Sequence, residues 1–298
     1  MSAPVPRRAF GDTGLTVPAL GFGAGVVGDP SLSEREAEEL LNAVLDLGID
    51  LVDTARSYGL SEERIGRFLA HRRAEFVLST KIGYGVPGYE DWTAATISAG
   101  VDLALRNLRT DVLDVVHLHS CPRSTLEQAG VVDAVVRAVE AGKARVAAYS
   151  GDNDALDYAV ACGAFGSVQT SLNLVDQRAI DAALPLARER GLGVIGKRAL
   201  ANAVWRRGAA ATEDPAVSTY RERWNALALD FGDLSPEEVA LRFAAFLPGV
   251  HTVLVGSGRR EHLEENVAAI SRGPLPESIE GSIRLRFRER GAGWPGIV

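Results

Sequence analysis

Eight short β-rich runs alternate with amphipathic helical segments along this chain, and that alternation restricts its fold more than any other feature. The runs are nearly continuous in apolar residues, as expected for parallel strands that helices cover on their outer side. They occupy residues 20–23, 51–53, 76–81, 112–119, 145–149, 167–170, 193–197 and 252–255. Eight strands with intervening helices in a chain of 298 residues predict an α/β fold, a (β/α)8 TIM barrel.

Helix starts lie between the runs. Ser33 and Ser124 are each followed three residues later by glutamate, which is the spacing of a capping box. Ser235 is followed by a proline and two glutamates, which predicts an N-cap with proline at the first helical position. These signals place helices after the first, fourth and seventh runs.

The remaining segments predict no second domain. Residues 8–17, with a glycine-containing turn, predict a β-hairpin ahead of the first barrel strand. Two looser stretches, residues 201–219 and the tail after Gly273, are too short for a domain, so residues 1–298 are expected to form a single one. In a barrel the first stretch would lie at the rim after the seventh strand, and the tail could fold back over the same opening.

A doubly wound open sheet would also alternate strands and helices. A dinucleotide-binding protein with that fold normally contains a GxGxxG motif near its start. The nearest candidate, residues 21–25 with the sequence GFGAG, has the wrong spacing and precedes more loop. The barrel is therefore preferred.

Composition excludes several classes of function. The net charge of −7 and the isoelectric point of about 5.4 argue against nucleic acid as a partner. No apolar run approaches the roughly 20 residues that span a bilayer, and the first residues lack the apolar core of a secretory signal. Cys121 and Cys162 have no CxxC spacing, so a cytoplasmic location is the default expectation.

Polar side chains end three neighbouring runs. Asp53 ends the second, Lys81 the third and His119 the fourth, and Tyr58 follows Asp53 in the next loop. Active sites of such barrels lie at the carboxyl ends of the strands, so these groups are expected to converge. The cluster suits proton donation to a developing alkoxide: a tyrosine, whose free pKa is about 10, is helped by a nearby ammonium that stabilises phenolate. A histidine can orient the carbonyl oxygen.

Some of these residues have other interpretations. Lys81 alone could be a solvated strand end. His117 and His119 project to the same face of a strand, and His117, one layer deeper, is expected to be a core histidine. The pair could also ligate the metal of a barrel hydrolase. Because the chain has only five histidines and no second ligand motif, no metal site is expected.

In their order, these residues resemble the aldo-keto reductase family over nearly the whole chain. The resemblance rests on residues 48–55, Tyr58-Gly59, Ser61-Glu62, Gly66, Lys81, Asp114 to His119, Gly142-Lys143, Ser150, Gln169, Gly256-Ser257 and residues 263–266. It implies that Tyr58 is the general acid/base, Lys81 its pKa-lowering partner, Asp53 the counter-ion of the lysine and His119 the substrate-orienting group. It further implies metal-free hydride transfer between a nicotinamide cofactor and a small aldehyde, ketone or alcohol.

The resemblance also implies a cofactor site. Ser150 and Gln169 match residues that bind the nicotinamide carboxamide, but Gly151 stands where the family often has asparagine. Lys197 replaces a tyrosine that many members stack on the nicotinamide ring. The cofactor-binding residues expected are Gly23, Asp53, Ser150, Gln169, Lys197, Gly256, Ser257, Gly258, Arg259, Arg260, Glu265 and Asn266.

The last β-run is followed by a segment suited to an anion. Residues 256–260 precede a helix, whose start offers unpaired N–H groups. Arg259 and Arg260 could pair with a 2′-phosphate, so NADP is expected and NAD stays possible. Against this, His262 stands where many NADP-specific members have arginine.

A second function stays open: a barrel that binds cofactor and regulates a partner, as channel-associated members of the family do. Substrate identity and oligomeric state cannot be derived from the sequence. The loops expected to shape the substrate pocket contain the aromatic residues Tyr84, Tyr89, Trp92 and Trp205 and, in the tail, Trp294.

Overall fold

Eight parallel strands close into a barrel in the computed structural model, which describes residues 4–206 and 214–298. A hairpin of β1 (Arg7–Ala9) and β2 (Thr16–Pro18) precedes it. The barrel strands are β3 (Leu20–Gly23), β4 (Leu51–Asp53), β5 (Val77–Ile82), β6 (Leu113–His119), β7 (Ala144–Ser150), β8 (Ser167–Ser171), β9 (Gly193–Lys197) and β10 (Thr252–Val255). They pair in chain order, and β10 joins β9 to β3. The predicted (β/α)8 barrel and its hairpin are confirmed.

Helices cover the barrel from outside and connect its strands. They are α1 (Glu34–Asp46), α2 (Ser61–Leu69), α3 (Ala94–Leu108), α4 (Arg123–Leu126), α5 (Val131–Glu140), α6 (Asn153–Ala161), α7 (Arg178–Glu189), α8 (Pro215–Leu227), α9 (Pro236–Ala245), α10 (Arg260–Ser271) and α11 (Glu277–Arg290). Of the helices in the described ranges, none has the length and apolar character that a bilayer crossing requires. Part of the predicted loose stretch, residues 207–213, lies outside the described residues. The single domain and the cytoplasmic location stay predictions.

Two of the three predicted caps are confirmed. Ser33 and Glu36 form a reciprocal capping box at α1, and the Ser235 side chain accepts a backbone N–H in the first turn of α9. The prediction at Ser124 is wrong, because α4 begins at Arg123 with Pro122 at its N-cap position, and Ser124 lies inside the helix. The φ of proline is fixed, and its carbonyl accepts from the Thr125 and Leu126 amides at 2.9 and 3.3 Å, so this helix starts without a side-chain cap.

The amino-terminal end of the barrel is plugged by the hairpin turn. Phe10 is fully buried in a cluster with Leu51, Val115 and Ile195. Gly193 in β9 makes room for it, since a Cβ there would lie 2.6 Å from the Phe10 ring. With that end closed, side chains at the carboxyl ends of the strands are the ones that can meet a ligand.

Candidate active site

The loop after β4 is held close to the 3₁₀ helix Ala24–Gly28, and this contact positions Tyr58. The Leu60 amide donates to the Gly28 carbonyl at 3.1 Å. A Cβ on Gly28 would lie 1.8 Å from the backbone oxygen of Tyr58, so only glycine permits the approach. The backbone that carries the phenol is therefore fixed by contact with the chain after β3.

Lys81 lies at the centre of the predicted catalytic group. Its ammonium donates to Asp53 Oδ2 at 2.5 Å and to the Thr54 carbonyl at 2.9 Å, and it lies 3.4 Å from the Tyr58 hydroxyl. Lys81 is 1% exposed, so the alternative of a solvated strand end is wrong. Burial disfavours the ammonium, but the Asp53 carboxylate and the Tyr58 hydroxyl outweigh it, and the pKa of Lys81 is raised.

Asp53 is oriented by two further side chains. Its Oδ1 accepts from the Ser79 hydroxyl at 2.7 Å and from Gln169 Nε2 at 3.1 Å, and Ser150 donates to Gln169 Oε1 at 2.8 Å. Three of the predicted catalytic residues, Asp53, Tyr58 and Lys81, thus form one hydrogen-bonded network with the predicted carboxamide-binding residues Ser150 and Gln169. Sequence reasoning missed Ser79, although it precedes Lys81 by two residues and so shares its strand face.

His119 faces the same space and is neutral. Burial and the nearby charges of Lys81 and Lys197 lower the pKa of His119 to about 3. The Tyr84 hydroxyl lies 2.9 Å from its Nδ1, and the Tyr84 ring stacks on the imidazole. His117 is fully buried with Nε2 3.1 Å from the Ser79 hydroxyl, as expected for a core histidine. Within the described ranges, no group of three or more His, Cys, Asp or Glu side chains is arranged to hold a metal ion.

A cavity of about 930 Å³ connects this group to the start of α10. All four predicted catalytic residues line it. So do the predicted cofactor-binding residues Gly23, Ser150, Gln169, Lys197, Gly256, Ser257, Glu265 and Asn266. Amide and hydroxyl groups line the cavity beside the catalytic group, and the start of α10 lines it as well, an arrangement that suits a nicotinamide dinucleotide.

Three predicted cofactor residues are not among the described residues that line this cavity: Gly258, Arg259 and Arg260. The guanidinium of Arg259 lies 3.6 Å from Glu261, and that of Arg260 lies 2.8 Å from Glu264. Both arginines are exposed at the N-terminus of α10. A phosphate that reached them would compete with these two carboxylates.

Two departures from the family pattern have structural reasons. A Cβ on Gly151 would lie 2.2 Å from the Tyr149 hydroxyl, which donates to the Cys121 carbonyl, so no larger residue fits there. Lys197 forms a buried ion pair with Asp152 at 2.8 Å. Burial lowers the pKa of Lys197 despite that carboxylate. The cation beside the cavity is therefore already neutralised by an anion of the protein.

The carboxyl-terminal tail folds back across the ends of β7, β8 and β9, as expected. Asn153 binds both the N–H and the carbonyl of Gly296. Arg198 donates to the Ile297 carbonyl at 2.6 Å, and the Ile297 amide donates to Asp176 at 2.9 Å. The tail is thus fastened to the rim of the barrel by its own backbone groups.

A parallel barrel with an Asp, Lys, Tyr and His group beside a dinucleotide-sized cavity defines a barrel oxidoreductase. The family model that matches is described as the Aldo/keto reductase family, and it matches residues 19–283. The chain belongs to the aldo/keto reductase family, whose enzymes use nicotinamide cofactors and act on small-molecule carbonyl compounds.

Individual relatives resemble the chain over most of their length. It is 28% identical to an L-galactose dehydrogenase of Arabidopsis thaliana, covering 90% of this chain and 88% of that protein. It is also 28% identical to a probable voltage-gated potassium channel subunit beta of the same plant, covering 90% of this chain and 92% of that protein. The holo form of an aldo-keto reductase from Bacillus halodurans superposes with a TM-score of 0.84 at 26% identity and covers 97% of both chains.

Proposed function

We propose that this protein catalyses the NADP(H)-dependent reduction of an aldehyde or ketone to an alcohol, or the reverse oxidation, with Tyr58 as general acid/base. The observation that carries the proposal is the position of the Lys81 ammonium, which contacts both the Asp53 carboxylate and the Tyr58 hydroxyl inside the barrel mouth. A buried cation beside a phenol at the edge of a cavity is suited to proton transfer, since it stabilises the phenolate that forms when the proton leaves.

The nicotinamide, when bound, supplies the hydride. The residues of this chain transfer the accompanying proton and stabilise the charge that develops. Tyr58 donates its proton to the substrate oxygen as that oxygen gains negative charge. Lys81 then stabilises the phenolate, and Asp53 keeps the ammonium in place through the reaction. His119, neutral at physiological pH, donates a hydrogen bond that orients the same oxygen. In the oxidative direction the same groups act in reverse.

The preference for NADP is supported by the two arginines at the start of α10. Replacing both Arg259 and Arg260 by alanine is expected to raise the Kd of NADPH by about 30-fold or more, since two charge-assisted bonds to a 2′-phosphate, each worth more than about 1 kcal/mol, sum to more than about 2 kcal/mol. The Kd of NADH should stay within twofold. Arg35→Ala is the matched control, because Arg35 makes the same kind of i,i+4 pair as Arg260 on another helix. Equal losses for both cofactors would contradict the NADP assignment.

The test of the catalytic proposal is Tyr58→Phe with a panel of aldehydes, ketones and alcohols. Sugars belong in the panel because a relative is named L-galactose dehydrogenase. We expect the wild type to oxidise NADPH with at least one carbonyl compound and the variant to lose at least about 100-fold in kcat. Cofactor affinity, measured by fluorescence quenching, should change less than twofold. Full turnover by the variant would exclude Tyr58 as the acid/base.

The second candidate, a cofactor-binding regulatory module, is supported by the similarity to a protein named as a potassium channel subunit beta. It predicts tight cofactor binding without turnover of any carbonyl compound in the panel. Retention of the complete Asp53, Tyr58, Lys81 and His119 group favours catalysis.

A further inference from the structure

Tyr84 lies beside the site and is not part of the group that carries out proton transfer. Its hydroxyl lies 2.9 Å from His119 Nδ1 and 3.1 Å from the Ser57 hydroxyl. The two rings are stacked, with centroids 5.6 Å apart and planes inclined by 22°. Tyr84 therefore contacts the imidazole with both its ring and its hydroxyl.

The loop that carries Tyr84 is built to hold it there. Trp92 packs against the Tyr84 ring at 5.5 Å, and the Trp92 amide donates to the Gly83 carbonyl at 2.7 Å. Gly83 makes the packing possible, since a Cβ would lie 2.1 Å from the indole ring. The Tyr84 ring is thus packed against both Trp92 and His119.

A neutral imidazole has one N–H, so the partner at one nitrogen determines what the other can do. If Nδ1 donated to Tyr84, Nε2 would present a lone pair and repel a carbonyl oxygen. A phenol is a better donor than acceptor, whereas an imidazole nitrogen is a strong acceptor. Tyr84 has one proton for two neighbours, His119 Nδ1 at 2.9 Å and the Ser57 hydroxyl, to which it is placed to donate at 3.1 Å. Because the imidazole nitrogen is the closer and stronger acceptor, the favoured arrangement has Tyr84 donating to Nδ1.

We propose that Tyr84 is a positioning residue that holds His119 in the Nε2–H form, so that the imidazole presents a donor to the substrate oxygen. The part that concerns substrate rests on the proposed function, whereas the tautomer does not. His119 lines the cavity, and its Nε2 has no hydrogen-bond partner among the described residues, so this nitrogen is the one left for a ligand.

The experiment is ¹⁵N NMR of histidine-labelled protein, with His119→Gln used to assign the signal. In the wild type we expect the multiple-bond pattern of a fixed Nε2–H imidazole. Tyr84→Phe keeps the ring and removes the hydroxyl, and the His119 nitrogens should move towards the averaged shifts of exchanging tautomers. Tyr89→Phe, an exposed tyrosine of the same loop, is the matched control and should leave the pattern unchanged.

Kinetics provide the second measurement. The loss of one orienting hydrogen bond should lower the kcat of Tyr84→Phe by about three- to tenfold, with KM changed less than twofold. Ser57→Ala removes a competing acceptor of the Tyr84 proton and should keep the pattern of a fixed Nε2–H imidazole. An Nδ1–H pattern in the wild type, or an unchanged pattern in Tyr84→Phe, would overturn the proposal. Because NMR needs neither cofactor nor substrate, this result is independent of whether Tyr58→Phe abolishes turnover.

Discussion

The contact between Gly28 and the backbone of Tyr58 gives a sharp test of how this site is positioned. Gly28 lies at the end of the 3₁₀ helix Ala24–Gly28 and is not among the described residues that line the cavity. Gly28→Ala would place a Cβ 1.8 Å from the Tyr58 backbone oxygen, whereas Cβ atoms essentially never approach heavy atoms closer than 3.0 Å. The two segments must therefore separate by more than 1 Å.

The expected cost follows from that displacement. The Lys81 ammonium lies 3.4 Å from the Tyr58 hydroxyl, at the outer limit of a hydrogen bond, so a shift of this size breaks the contact. Misplacing a reacting group by about 1 Å lowers turnover by about 100-fold. We expect a loss of that order in kcat for Gly28→Ala. Cofactor affinity should change little, because the groups at Ser150, Gln169 and α10 are not moved.

The assay compares Gly28→Ala with Gly281→Ala in steady-state kinetics and thermal unfolding. Gly281 lies in α11, is not among the residues that line the cavity, and a Cβ there would meet no atom of the described residues within 4 Å. This control should keep kcat within threefold of wild type. A folded Gly28→Ala variant with wild-type kcat would show that Tyr58 is not positioned through this backbone contact.

Three further predictions concern stability. Asp53→Asn should lower the free energy of unfolding by about 3–5 kcal/mol in denaturant titrations, because Lys81 is left as an unpaired buried charge. The double variant with Lys81→Met should regain most of the lost stability but remain inactive. An Asp53→Asn variant as stable as wild type would contradict the contribution of the ion pair. Burial raises the pKa of Asp176 from 3.8 to about 6. The folded state therefore binds more protons than the unfolded state between these values, and the stabilisation present below pH 4 is lost as pH rises through 6. Asp176→Asn should remove this slope, worth at most about 3 kcal/mol, and an unchanged pH profile of unfolding would refute it. Gly151→Ala should destabilise the protein by about 1–3 kcal/mol, since its Cβ would lie 2.2 Å from the buried Tyr149 hydroxyl. Gly281→Ala is the control and should not destabilise it, because a Cβ there meets no atom within 4 Å in the described part of the chain. Equal unfolding midpoints for the two variants would contradict the steric argument.

The barrel was predictable because its signals are local and repeated. Each strand has its own apolar run, and every barrel strand begins and ends within one residue of its predicted bounds. The failed cap at Ser124 is instructive, because Pro122 starts the helix with backbone geometry alone and a serine–glutamate spacing in the same segment becomes irrelevant. The serine–glutamate spacing predicts a cap only where the two side chains bind the free backbone N–H groups at the start of a helix. At α4 the helix starts at a proline, before the serine, so these side chains have no such role.

The residues expected to bind the cofactor were less predictable than the catalytic group. Gly151 and Lys197 are departures whose reasons, the Tyr149 hydroxyl and the Asp152 carboxylate, lie on neighbouring segments. Arg259 and Arg260 carry suitable charge, but the folded structure leaves them out of the cavity lining and pairs them with Glu261 and Glu264. Residue type alone does not say whether a cation is already compensated.

The sequence by itself determined the eight-stranded barrel and the presence of Asp53, Tyr58, Lys81 and His119 at its carboxyl end. Periodicity and strand order are enough for that, since parallel neighbours must bring their ends together. Only the tertiary structure decided the 3.4 Å contact of Lys81 with Tyr58, the backbone approach at Gly28 and the pairing of Tyr84 with His119. These contacts join segments distant in sequence, and their lengths depend on how close the backbones can come, which no periodicity encodes.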